Sequence, residues 1–234
     1  MMAGLPDGPA FLEAKARVEA IFFDLDGTLI DTDDALLEAV AKRLERLRGL
    51  FPERDPRPLL RRAMLAAEGP VNRLVTLLDM VGLDDNLFSI GDRLRRVRGM
   101  QVRGEFAAVE GIVEMLHALH DTYRLGVITT RSRQDALAFL RQFELEDYFQ
   151  VVVAREDTWR LKPHPEPVHS AAGSVGLSSA QCAMVGDTAV DIVSAKAAGS
   201  YAIGVLCGFG DVEDLTAAGA DLILEGTAQL RAWF

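Results

Sequence analysis

The sequence predicts an α/β protein: a doubly wound parallel sheet, interrupted after its first strand by an all-helical segment. Three observations carry this. From about Ala108 onward, short apolar strand-like runs alternate with helical stretches to the end of the chain. Between Asp33 and Gly104 the apolar residues recur at helical spacing and no strand pattern interrupts them. That segment also differs in charge, holding 14 Lys/Arg against 11 Asp/Glu where the rest of the chain holds 11 against 24.

The elements follow in order. Ile21-Phe22-Phe23 is an apolar run without polar alternation, the pattern of a strand buried on both faces. Leu36, Leu37, Val40, Leu44 and Leu47 then fall three and four residues apart, one face of a helix over 33–47. Further helical stretches are expected at 59–67, 71–81 and 87–102, separated by Pro52, Pro56, Pro58 and the Gly69-Pro70 pair. The second half reads helix 111–120, strand 125–129, helix 133–143, strand 150–154, helix 166–175 and strand 182–187. Helix 189–198, strand 201–206, helix 212–218, strand 221–224 and a short helix near Ala228 complete it. Such alternation implies right-handed crossovers and a sheet covered on both faces. The domain division is 1–31 with 105–234 for a Rossmann-like core, and 32–104 for an inserted helical cap.

Composition sets the class. Hydrophobic residues at 49% and charged residues at 26% are those of an ordinary globular protein. A formal net charge of −10 argues against non-specific nucleic-acid binding. No apolar run approaches the roughly 20 residues that span a bilayer, and Met1–Ala20 lacks the basic-then-apolar order of a secretory signal. Cys182 and Cys207 have no metal-type spacing and are expected as free thiols in a reducing compartment. A cytoplasmic location follows, with no membrane or nucleic-acid partner.

The chemistry-bearing residues sit at predicted strand ends, where doubly wound sheets bind ligands. The first strand runs into Asp24-Leu25-Asp26-Gly27-Thr28. Burying anions costs several kcal/mol or more unless they are paired or metal-bound, so packing alone does not explain two carboxylates there. A carboxylate is a competent covalent nucleophile, and a second carboxyl can shuttle a proton. Thr129-Thr130 closes the next strand and supplies hydroxyl donors that add no charge. Lys162 opens the stiff Lys162-Pro163-His164-Pro165-Glu166-Pro167 loop. A further buried strand ends in Gly186-Asp187, with Asp191 four residues on at a helix start, where an Asp is also an ordinary cap.

These four motifs, in this order, resemble those of the haloacid dehalogenase-like superfamily, in particular its phosphoglycolate phosphatase and β-phosphoglucomutase-like members with a helical cap. The resemblance covers about Val18 to Phe234. It implies Asp24 as the nucleophile that forms an aspartyl-phosphate and Asp26 as general acid/base. It also implies Thr129, Thr130 and Lys162 as phosphate-binding residues. Mg²⁺ would be held by Asp24, the backbone carbonyl of Asp26, and Asp187, with Asp191 binding through water or orienting the others. Carboxylates facing a phosphate repel it unless a divalent cation intervenes. At position 130 the superfamily often has Asn; here Thr130 and then Arg131 stand instead.

The expected function is a Mg-dependent phosphatase of a small phosphorylated metabolite, with phosphoglycolate, sugar phosphates and pyrophosphate as candidates. The cap arginines Arg43, Arg61, Arg62, Arg73 and Arg103 favour an anionic substrate. Two alternatives stand beside it: a β-phosphoglucomutase-like phosphotransferase and a non-catalytic interaction protein of the same fold. Asp26 counts against dehalogenase chemistry. Phosphonatase chemistry also requires a cap lysine, and Lys42 is the cap's single lysine. No role is assigned to the four histidines.

Overall fold

The computed structural model describes residues 15–31 and 106–234. Their elements run β1 (Ala20–Phe23), α1 (Ile112–Leu119), β2 (Arg124–Ile128), α2 (Arg133–Gln142), β3 (Phe149–Val153) and α3 (Glu166–Ser174). Then come β4 (Cys182–Gly186), α4 (Ala189–Ala198), β5 (Tyr201–Val205), α5 (Val212–Ala217) and β6 (Leu222–Leu224). The strands form one sheet in the order β3-β2-β1-β4-β5-β6, with each neighbouring pair parallel. The order reverses at β1, so a crevice opens beyond the carboxyl ends of β1 and β4.

The sheet forms because its central strands are apolar on both faces. Alternation along β1 sends Ala20 and Phe22 one way and Ile21 and Phe23 the other, and all four are fully buried. Phe22 joins Met184 of β4, Val168 of α3, and Ile192 and Ala195 of α4 in one core cluster. On the opposite face Phe23 meets Phe149 edge to face, ring centroids 6.3 Å apart. Gly126 faces Phe22 so closely that a Cβ would lie 2.7 Å from Phe22 Cδ1 and 2.6 Å from Val151 Cγ1.

The helices are fixed by their ends. Ser132 caps α2 by accepting from the Asp135 N–H, and Asp211 does the same for α5 through Asp214. Thr188 and Asp191 form a reciprocal capping box on α4, which ends at Gly199 with φ 76°.

The strand-helix alternation predicted for the second half is present, so the fold is the expected parallel α/β sheet. The predicted strands overran slightly: Thr129, Ala154, Asp187 and Leu206 each stand one residue beyond their strand, and β6 starts at Leu222 rather than 221. The short helix expected near Ala228 is a tighter 3₁₀ segment, Thr227–Ala232. The chain divides into two units, Met1–Asp31 with Ala108–Phe234, and Thr32–Ala107. The four predicted cap helices and the five cap arginines lie outside the described residues. Both cysteines are free thiols, and burial pushes Cys182 up to about 11. Among the described residues no helix is long and apolar enough to cross a membrane.

Candidate active site

Three of the predicted residues are the first beyond their strands: Asp24 after β1, Thr129 after β2 and Asp187 after β4. The ladder delivers them to one place. The Asp24 N–H donates to Val185 O at 2.9 Å and the Thr129 N–H to Val153 O at 2.9 Å, so each backbone is still pinned as its side chain leaves the sheet. Asp24 and Asp187 thus flank the crevice where the strand order reverses.

Carboxylate oxygens of Asp24, Asp187 and Asp191 all lie within 4.8 Å of one another, and all three residues are buried. Lys162 enters this cluster from the loop after β3. Its ammonium donates to Asp24 Oδ1 at 2.8 Å, to Asp191 Oδ1 at 2.6 Å and to Ile128 O at 3.0 Å, which uses its three protons. The Lys162–Pro163 peptide is cis. Asp191 is a cap and a cluster member together: Oδ2 accepts from the Thr188 hydroxyl at 2.6 Å and its N–H at 3.2 Å, while Oδ1 faces Lys162.

One ammonium does not offset three buried carboxylates. Burial raises the Asp24 carboxyl to about 7, against the pull of Lys162 and with the charges of Asp191 and Asp26 pushing the same way. Asp187 is raised well above the ordinary range, first by burial and then by Asp191 and Asp24. Burial would lower the Lys162 ammonium, but the two aspartates outweigh it and it rises. A hard divalent cation fits such a place. The donors are all carboxylate oxygens, the set Mg²⁺ prefers, and the surplus negative charge is of the sign it would neutralise.

The other predicted residues are placed as follows. Asp26 lies outside the carboxylate cluster, and its side chain is held by Arg131 instead. Thr129 is buried and its Oγ1 accepts from the Arg131 N–H at 3.1 Å. Thr130 is exposed. Among the histidines, His117 and His120 stack in a surface group with Tyr148, and His169 bonds Ser179 at 2.8 Å.

Two contributions went unread in the sequence. Arg131 makes a two-pronged ion pair with Asp26, Nε to Oδ2 at 2.6 Å and Nη2 to Oδ1 at 2.5 Å. The loop Gly208-Phe209-Gly210 after β5 wraps Asp187: the Phe209 N–H donates to Oδ2 at 2.8 Å. A Cβ at Gly208 would lie 2.1 Å from that oxygen, and one at Gly27, whose φ is +72°, would lie 2.2 Å from it. The available signals were an arginine two residues past a strand end and a Gly-x-Gly just past another.

Comparison with known proteins agrees with the motifs. The profile of the haloacid dehalogenase-like hydrolase family matches residues 21–205. The chain is 30% identical over 223 residues to pyrophosphatase PpaX of Bacillus pumilus, spanning 93% of this chain and 97% of that one. It is 28% identical over 238 residues to phosphoglycolate phosphatase of Salmonella typhimurium, spanning 92% and 91%. A haloacid dehalogenase-like family hydrolase from Streptococcus pneumoniae shares the fold, with TM-score 0.64 at 22% identity over 94% of this chain and 99% of that one. The chain belongs to the haloacid dehalogenase-like hydrolase family, among relatives named as phosphatases.

Proposed function

We propose that the protein is a Mg-dependent phosphatase of the cytoplasm that hydrolyses a small phosphorylated metabolite through a phospho-Asp24 intermediate. The observation that carries this reading is the pairing of Asp24 with Lys162 at 2.8 Å, inside a buried group of carboxylates at the sheet's switch point. The ammonium aims Asp24 Oδ1 and pulls the carboxyl toward its ionised form against the effect of burial, and a bound cation would complete the ionisation that a nucleophile requires. Asp24, Asp187 and the Asp26 carbonyl would hold Mg²⁺, with Asp191 orienting Lys162. Bound there, the cation screens the carboxylates from the phosphate and stabilises charge on the transferring group.

The chain's own groups supply the remaining steps. Asp24 attacks phosphorus and the bond to the leaving oxygen breaks, while Asp26, which has to enter this step protonated, gives its proton to that oxygen and is left as the carboxylate. Water, deprotonated by Asp26, then attacks the phosphorus of the acyl phosphate and frees Asp24. Thr129 donates its hydroxyl to a phosphoryl oxygen, and Lys162 balances charge as it builds up. Thr130, exposed and one residue further on, is the weaker candidate for a phosphate contact. The relatives' names put pyrophosphate and phosphoglycolate at the head of the substrate panel.

A phosphate-release screen with Mg²⁺ over pyrophosphate, phosphoglycolate and sugar phosphates tests this. EDTA-sensitive release that Asp24→Asn abolishes is the expected result. Full release by Asp24→Asn removes the covalent mechanism, and silence across the panel from folded protein favours the phosphotransferase.

A further inference from the structure

We infer that Arg131 is a positioning residue that fixes the plane of the Asp26 carboxylate and thereby aims the proton it transfers. The inference rests on Asp26 being the acid/base of the proposed reaction. A lone carboxylate on a turn rotates about two side-chain bonds, and proton transfer needs one oxygen held within hydrogen-bond reach of the leaving atom. Arg131 meets Asp26 by its edge, with Nε and Nη2 on separate oxygens at 2.6 and 2.5 Å. This fork-to-fork contact fixes direction as well as distance, which a lysine's point charge does not. A carboxylate offers about four lone-pair sites, and the fork takes one on each oxygen. One site per oxygen therefore remains for the leaving group and, later, for water.

The clamp is anchored at both ends. Arg131's N–H is taken by Thr129 Oγ1 at 3.1 Å, and its carbonyl accepts from the Arg155 N–H at 3.2 Å. The next residue, Ser132, starts α2 as its cap. On the other side the Asp26 loop is closed by the Gly27 N–H donating to Ile30 O at 2.9 Å. The side chains are only 21% and 28% exposed, so the pair is shielded beyond an ordinary surface bridge.

The test uses leaving-group dependence, which a merely structural role would leave alone. Hydrolysis of 4-nitrophenyl, 4-chlorophenyl and phenyl phosphate is followed by kcat/KM, which reports the first chemical step. A poor leaving group needs the proton and a good one does not. Arg131→Met should leave 4-nitrophenyl phosphate within a few-fold of wild type and lose roughly 10²-fold on phenyl phosphate. Arg131→Lys should recover only part of the loss, and Arg131→Met added to Asp26→Asn should cost less than about twofold more. Equal losses on all three esters, or losses that multiply with Asp26→Asn, overturn the inference. Independently of turnover, the Arg131 Nε–H resonance should be protected from solvent exchange in wild type and lose protection in Asp26→Ala. An unprotected wild-type resonance also overturns it. A failed covalent mechanism reads out separately, as turnover by Asp24→Asn.

Discussion

At the residue scale the site divides its acids by partner. Asp24 and Asp191 share Lys162, Asp187 is cradled by glycines and one backbone N–H, and Asp26 belongs to Arg131. Distinct partners let chemically alike side chains hold distinct roles. Replacing Asp26 by Asn keeps shape and the backbone carbonyl but removes the transferable proton. We predict a rate loss of roughly 10²–10⁴, the usual span for a lost acid/base; steady-state kinetics with unchanged Mg²⁺ affinity would check it. Gly208→Ala drives a methyl to 2.1 Å from Asp187 Oδ2. The carboxylate has to move, and Mg²⁺ affinity should fall by about 10–100-fold, as for other disturbed metal surroundings. Titration calorimetry reads this directly, with an unchanged circular dichroism spectrum showing that the fold survives.

At the element scale, several candidate site residues stand just beyond strand ends, and this is why their convergence on one place was legible in the sequence. An apolar run broken by Asp24, Thr129 or Asp187 is visible in one dimension, and so is an Asp in the first turn of a helix, as Asp191 is in α4. Their small strand overruns have the same origin, because the side-chain pattern continues for a residue after the ladder stops. The Arg131–Asp26 pair had no such signature. Its members lie 105 residues apart, and only the parallel pairing of β1 with β2 brings the two strand ends together. The Phe209 N–H likewise reaches Asp187 only because β5 lies beside β4. The capping box of α4 yields its own prediction. Thr188→Ala removes the hydroxyl that holds Asp191 Oδ2, so it should cost about 0.5–2 kcal/mol of stability. It should also loosen Asp191 against Lys162, so denaturant unfolding and kcat should both fall.

At the scale of the whole molecule, the sheet spends stability to assemble charge. Burial lifts Asp24 from 3.8 to about 7, so across that interval the metal-free fold holds a proton that the unfolded chain has released. The contribution of this carboxyl is complete below its unfolded value and is lost as pH rises through about 7. Asp187 shifts in the same direction. Mg²⁺ should therefore stabilise the protein more at about pH 7.5 than at pH 5, where protons already neutralise the cluster. At roughly a hundredfold excess over Kd the gain is about 2.7 kcal/mol, or about 5–10 °C in Tm for a chain of this size. Thermal melts with and without Mg²⁺ at both pH values check this, and equal shifts would contradict it.

The central claim is that Asp24 carries the phosphoryl group. Borohydride added during turnover reduces an acyl phosphate and leaves a free carboxylate intact, so peptide mass spectrometry can locate the intermediate. Reduction of Asp24 to homoserine, dependent on substrate and Mg²⁺, is the predicted result. Full phosphate release with Asp24 unreduced, or reduction at another carboxylate, would contradict the account.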